Sequence, residues 1–191
     1  MGKQDNSVKE MLIICGINEI EEHGLTDFSL RRVASQCGVS CAAPYKHFKN
    51  KDDLILAILE YIASQWKLLE NQIIDLFEGS KEKQIEELSV AFVKFWLANP
   101  NFRSILFMNP RSMDKKQKEA RNEIDKTISS LICDYCNEKA LSDEARAAIL
   151  YKIHSYIYGA LLMLENGSLE KNDATIKQIR QTVKEGLKYE A

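Results

Sequence analysis

Residues 28–51 carry Arg31, Arg32, Lys46, Lys49 and Lys51 and not one aspartate or glutamate. Five cations against no acids give this window +5, whereas the whole chain of 191 residues is −2 with a pI near 6.0. The patch is therefore local, and its chemistry is the neutralisation of phosphates along a duplex. Other chemistries lack their parts. No nucleophile, base and orienting group share a workable spacing, and there is no glycine-rich phosphate loop or supported carboxylate pair. An enzyme is not expected, nor a cofactor. Cys133 and Cys136 have CxxC spacing and Cys37 and Cys41 stand four apart. A zinc site needs four such ligands, and neither a second CxxC nor paired histidines exist, so no metal site is expected.

The basic residues need a scaffold, and the local sequence supplies one. Ser29 is a preferred cap for a helix through Val33, and Arg31 and Arg32 sit near its start, where free amides can also face a phosphate. Gly38 suits the positive-φ position that ends that helix. Ser40 reads as the cap of a second helix from Cys41 to about His47, short and irregular because Pro44 cannot donate an intrahelical bond. Two short helices joined by Cys37-Gly38-Val39-Ser40 make a helix-turn-helix. Ahead of it, Ser7 and Glu10 form a capping box for a supporting helix that ends at His23-Gly24. Behind it, Asn50 caps a long helix with Asp53 as its partner.

That long helix shows an apolar stripe from Leu54 through Trp66 to Phe77, broken at Gly79-Ser80. A further helix runs from Gln84 to Asn99-Pro100. A short aromatic one covers residues 101–108 and closes at Asn109-Pro110. Residues 111–119 read as loop, and 120–139 as helix again. Ser142 caps a helix whose later half, 156–164, is apolar all round, and a last helix starts at Asp173. Three prolines and 28% charged residues suit an ordered helical protein. No basic leader precedes an apolar core, the longest apolar run is too short to span a bilayer, and five cysteines make an odd count. These features point to reduced thiols in a cytoplasm and to no membrane partner.

Val39-Ser40, Ala43-Pro44-Tyr45-Lys46-His47-Phe48 and Lys49-Asn50-Lys51-Asp52-Asp53-Leu54, preceded by Ser29, Val33 and Ala34, resemble the DNA-binding domain of the tetracycline-repressor (TetR) family. The resemblance runs without a gap from residue 7 to about 60; beyond it, only length and helical character are similar. It implies an all-α fold with a three-helix DNA-binding domain in residues 1–50, extending to about 60, its motif at 29–48. Residues 51–191 would be the helical ligand-binding and dimerisation domain. The implied partners are double-stranded operator DNA, a small-molecule inducer and a second copy of the chain, in a prokaryotic cytoplasm at the nucleoid. DNA contacts are expected from Ser29, Arg31, Arg32, Ser40, Cys41, Ala42, Ala43, Pro44, Tyr45, Lys46, His47 and Lys51. The family carries phosphate contacts at the positions matching Tyr45, His47 and Lys51; otherwise these are polar surface residues.

The resemblance also implies an inducer cavity for a mainly apolar molecule. Its candidate lining is Trp66, Phe92, Phe95, Trp96, Phe102, Phe107, Met108, His154 and Tyr158, all of which also suit plain core. The apolar 156–164 stretch (Tyr156, Ala160, Leu164) and the seam Ile176, Ile179, Val183 and Leu187 read as a four-helix dimer interface. The resulting expectation is a homodimeric repressor released by ligand, with activation equally open. The alternative is an adaptor of the same fold that acts through protein partners without an operator.

Overall fold

The computed structural model describes residues 2–107, 111 and 113–189, the side chains of 2–6 and 104 excepted. Among them the regular elements are all helical: α1 (Gly2–His23), α2 (Leu30–Gln36), α3 (Pro44–His47), α4 (Lys51–Leu76), α5 (Lys81–Ala98), α6 (Pro100–Leu106), α7 (Lys115–Glu138), α8 (Asp143–Glu165) and α9 (Asp173–Gly186). By contacts the chain divides into two units. One comprises Met1–Gln65 and Pro100–Glu123, the other Trp66–Asn99 and Ile124–Ala191, so α4 and α7 each contribute to both. The division does not fall at residue 50, because α6 and the first turns of α7 join the N-terminal helices.

In the first unit α1 packs against α2, α3 and α6. Leu12, Ile17 and Ile20 of α1, Val33 and Ala34 of α2, and Leu54, Ile58 and Ile62 of α4 are all at most 2% exposed. Burial of this apolar area stabilises the unit at roughly 25 cal/mol per Å². Gly16 permits the close approach of α1 to α4: a Cβ there would stand 2.7 Å from Ile58 Cδ1. The cap ahead of α4 is reciprocal, with Asp53 N donating to Asn50 Oδ1 at 2.9 Å and Lys49 N to Asp53 Oδ2 at 3.0 Å.

Four helix starts differ from expectation, α5 opening at Lys81 behind its Ser80 cap rather than at Gln84. α1 begins at Gly2, which leaves Ser7 inside the helix rather than capping it. α3 begins at Pro44 instead of Cys41, capped by Ala43 without a side-chain bond. Proline lacks an N–H and its ring collides with the carbonyl four residues back, so it is tolerated in the first turn and pushes residues 40–43 out into a turn. α7 begins at Lys115 because Asp114 and Gln117 cap it reciprocally. Gln117 N donates to Asp114 Oδ1 at 2.9 Å and Asp114 N to Gln117 Oε1 at 3.1 Å. The expected closure at Asn109-Pro110 lies outside the described residues.

In the second unit α5 packs on α8 and α9, and α8 on α9. Side chains of Ser80, Ser142 and Asn172 cap these three helices. Trp66 Nε1 donates to the Ile124 carbonyl at 3.0 Å in the buried interior. An ion network ties α9 to α5, with Arg180 Nη2 2.6 Å from Glu87 and Lys83 Nζ 3.1 Å from Glu86 and Glu87. Hydrogen bonds to Glu87 and then Glu86 raise the Lys83 pKa. The residues expected at a dimer interface are placed differently. Ala160, Leu164, Ile179, Val183 and Leu187 are at most 4% exposed within the single chain. The apolar seam of α9 is spent on its own α5 and α8, as an amphipathic surface helix spends it. Tyr156 and Ile176 are half-buried.

Candidate nucleic-acid interface

α2 ends in the geometry its sequence dictates. Cys37 N bonds to Val33 O and Val39 N to Ala34 O, both at 3.0 Å, and Gly38 takes φ +67°. A left-handed residue closing the helix in this way turns the chain sharply toward the next segment. Ser40, Cys41 and Ala42 are exposed and Ala43 half-buried. Ala43 N bonds to Ser40 O at 2.9 Å and Phe48 N to Pro44 O at 2.9 Å, so turn and short helix form one continuous presenting edge. Phe48, 3% exposed, anchors its end in the core.

On this edge Tyr45 is 62% exposed, Lys46 is exposed, His47 is half-buried and its ring lies 6.3 Å from that of Phe48. Pro44 is buried and supports the edge from beneath. Arg31, Lys49 and Lys51 are exposed as well. Among the described residues none of Arg31, Lys46, Lys49 and Lys51 pairs with a carboxylate. Their charge is therefore available to an outside anion. Lys51 opens α4, where unpaired backbone amides also favour negative charge.

Arg32 departs from the expected role. Its Nε donates to Glu19 Oε1 at 2.7 Å, its Nη2 stands 2.6 Å from the same oxygen, and it also donates to the Asp27 carbonyl. Glu19 is 0% exposed and accepts from Ser29 N at 3.1 Å. Hydrogen bonding to Glu19 raises the Arg32 pKa. Arg32 thus compensates a buried carboxylate and pins α2 to α1, and Ser29 serves as cap of α2 through Arg32 N at 3.5 Å. The sequence carried a signal for this: Glu19 falls seven residues after Leu12, on the apolar face of α1.

The cysteines also differ from the expectation of free thiols throughout. Cys15 and Cys37 are joined as a disulfide, while Cys41, Cys133 and Cys136 are free. No group of three or more His, Cys, Asp or Glu able to hold a metal occurs among the described residues.

The candidate ligand residues fall in two places. Phe102 and Phe107 belong to the first unit, where Phe102 meets Tyr61 edge-on at 6.5 Å. In the second unit Trp66, Phe92, Phe95, Trp96 and Tyr158 form one cluster with centroids 5.3–5.9 Å apart. Polar groups edge it. Tyr158 donates to Asp125 Oδ1 at 2.7 Å, His154 lies 3.3 Å from Ser129 Oγ, and Glu70, 0% exposed, accepts from Thr127 Oγ1 at 2.8 Å. Met108 lies outside the described residues.

A helix-turn-helix closed by Gly38, whose presenting edge carries cations with no carboxylate partner among the described residues, has the geometry of a DNA-binding module. Residues 16–58 match the family of bacterial regulatory proteins described as the tetR family. The chain is 38% identical over 56 residues to the uncharacterised HTH-type transcriptional regulator YerO of Bacillus subtilis (strain 168), a match that covers 29% of this chain and 19% of that one. Solved structures extend the likeness of fold to nearly the whole chain. A TetR family transcription regulator from Marinobacter aquaeolei VT8 superimposes with TM-score 0.79 at 17% identity, covering 97% of this chain and 98% of that one. FadR of Bacillus subtilis, solved in complex with stearoyl-CoA, superimposes with TM-score 0.72 at 16% identity, covering 93% and 98%. Residues 16–58 thus match the DNA-binding domain of the TetR family, the chain spans about a fifth of the length of the curated relative it matches, and its fold is that of TetR-family structures.

Proposed function

We propose that the protein is a homodimeric repressor that leaves its operator when a small, mainly apolar ligand binds its C-terminal part. Residues 1–50, extended to about 60, would read DNA, and 51–191 would carry the ligand and dimer contacts. The observation that carries the reading is the presenting edge from Ser40 to Lys51, where Lys46, Lys49 and Lys51 are exposed without carboxylate partners among the described residues. Two-fold pairing would set two such edges into successive major grooves.

Support for pairing comes from α8. It is long and apolar enough by composition to cross a membrane, yet only 33% of that window is buried in the chain. Tyr151, Leu162 and Met163 are 75%, 52% and 43% exposed. A groove of about 440 Å³ between α8 and α9 is lined by Lys152, Ile153, Ser155 and Tyr156 of α8 and Thr182, Glu185 and Gly186 of α9. Exposed apolar side chains of this kind along α8 suit a second copy of the same helix. Support for the ligand comes from the aromatic cluster around Trp66 and Phe92 and from the stearoyl-CoA bound by one protein of the same fold. Ligand and DNA would be coupled reciprocally through two conformations, with α4 common to both units.

The test is operator binding by the full chain to the DNA flanking its own gene, with and without stearoyl-CoA as probe. Retarded DNA that is released on adding probe supports the reading. Failure to bind that DNA at low salt would overturn it in favour of the partner-binding adaptor.

A further inference from the structure

Cys15, in α1, and Cys37, the C-cap of α2, are joined with their Cα atoms 6.2 Å apart and a sequence separation of 22. That Cα spacing lies in the ordinary range for disulfides, so neither helix must move to make or break the bond. The reduced state has its own partner. Cys37 Sγ lies 3.4 Å from the Met11 carbonyl oxygen, which can accept from the S–H when the bond is open. Met11 and Cys15 are one turn apart on α1, so the sulfur of Cys37 has an acceptor and a thiol within reach on the same face.

Both cysteines are half-buried, which leaves them within reach of a small oxidant. Cys136 contrasts with them: it is buried, and burial raises its thiol pKa, which leaves it inert. The bond is not required to hold the unit together. Leu12, Ile17, Val33, Leu54, Ile58 and Phe48 already give it a core, unlike the small secreted domains that need stapling. A regulator that meets chromosomal DNA works where thiols are kept reduced, and a disulfide there is a transient one. Its position gives it leverage. Cys37 directly precedes Gly38, the residue whose positive φ aims the DNA-reading segment.

We infer that Cys15 and Cys37 form a reversible thiol switch, oxidised by a small hydroperoxide and reset by a low-molecular-weight thiol, that sets how firmly the helix-turn-helix holds its DNA-reading shape. In the forward direction one thiolate attacks the peroxide, the O–O bond breaks, and a sulfenic acid forms. The oxygen that leaves departs as water or alcohol with the proton the thiol gave up. The second thiolate then attacks the sulfenic sulfur, the S–S bond forms, and the hydroxyl leaves as water after taking a proton. Two electrons pass from the two sulfurs to the peroxide. Reduction reverses this through a mixed disulfide with the external thiol, which leaves oxidised. Closing the loop removes conformational freedom from the unfolded unit and pre-organises the folded one.

The test uses the full chain, fully reduced and then treated with hydrogen peroxide. Expected are a Cys15–Cys37 linked peptide, a melting temperature raised by several degrees, and several-fold slower release from the DNA flanking its own gene. Dithiothreitol should reverse all three. Cys15→Ser and Cys37→Ser should lose the peroxide response, and Cys41→Ser should keep it. If a serine variant fails to fold, oxidised against reduced wild type carries the comparison alone. The inference falls if no 15–37 link forms, or if linked and reduced protein melt and release DNA alike. The release measurement and the expectation of a reducing compartment rest on the DNA-binding reading. Melting decides the switch, whereas absence of binding in both redox states counts against the regulator.

Discussion

Arg32 and Glu19 meet at 2.6 Å across α1 and α2, a guanidinium 39% exposed against a carboxylate wholly withdrawn from water. The asymmetry decides what each basic residue of α2 does. Removing Arg32 would leave a buried charge without its compensation, which proteins tolerate poorly. Arg32→Ala should therefore lower the melting temperature by several degrees. Arg31→Ala, at an exposed position, should change stability by no more than about 0.5 kcal/mol and weaken binding to all DNA alike. Thermal unfolding of both variants, with binding to operator and unrelated DNA, separates the roles. Equal loss of stability in the two would contradict this account.

Lys51 opens α4 and has no carboxylate partner among the described residues. Its ammonium opposes the partial positive charge of the helix start, a conflict that a phosphate between them would relieve. Lys51→Gln should keep or slightly raise stability and weaken binding to every sequence without altering preference. Loss of one contact per subunit should flatten the log-affinity against log-salt slope by about two units per dimer. The slope on one operator, measured for both proteins, checks it, and an unchanged slope would make Lys51 a solvated lysine only.

Glu70 gives a pH dependence with a definite sign. Burial raises its pKa above the ordinary 4.5, against the opposing effects of Thr127, Lys67 and Trp66. A carboxyl whose folded pKa is raised holds a proton in the folded state after the unfolded state has lost it. Stability from this group is therefore greatest below the ordinary value and declines as pH rises through the raised one. Glu70→Gln should be more stable than wild type at neutral pH, with the difference shrinking as pH falls toward the ordinary carboxylate range. Denaturant unfolding at several pH values measures it. A difference that grows on acidification would reverse the assignment.

Pairing of two copies can be probed without unfolding either. Ile179 is 1% exposed, so Ile179→Asp places a charge in the core and should cost more than about 4 kcal/mol. Leu162→Glu with Met163→Glu alters only exposed positions of α8. This double variant should fold, sediment as a monomer and bind operator weakly. A folded, dimeric double variant would remove α8 from the interface.

Much of this arrangement was legible in the residues. Gly38, the Asn50–Asp53 cap and the stripe from Leu54 to Trp66 are governed by local rules, and the structure follows them. The misses came where two local rules compete or a tertiary partner decides. Ser40 looked like a helix cap, but Pro44 four residues on excluded the helix it would have capped. The start of α7 was readable in Asp114 and Gln117, a reciprocal cap hidden inside a polar run. Periodicity marks the face of α9 that seeks apolar company but is silent on whether that company is α5 of the same chain or another molecule. Glu70, four residues after Trp66 on the buried face of α4, and the Cys15–Cys37 pair, which only the crossing of α1 and α2 brings together, were likewise beyond a reading of separate helices.

The turn from Ser40 to Ala43 has an evolutionary consequence. Ser40, Cys41 and Ala42 face solvent and belong to no helix, so exchanging Cys41 or Ala42 for a longer side chain displaces water and disturbs no packed neighbour. Mutations at these positions are close to neutral for folding, while the residues that aim them, Gly38, Pro44 and Phe48, are fixed by backbone geometry and burial. With the DNA-reading role proposed for this edge, a lineage carrying this chain would drift from one target sequence to another along a nearly flat path. Duplicated copies would be free to diverge in what they read long before they diverge in how they are built.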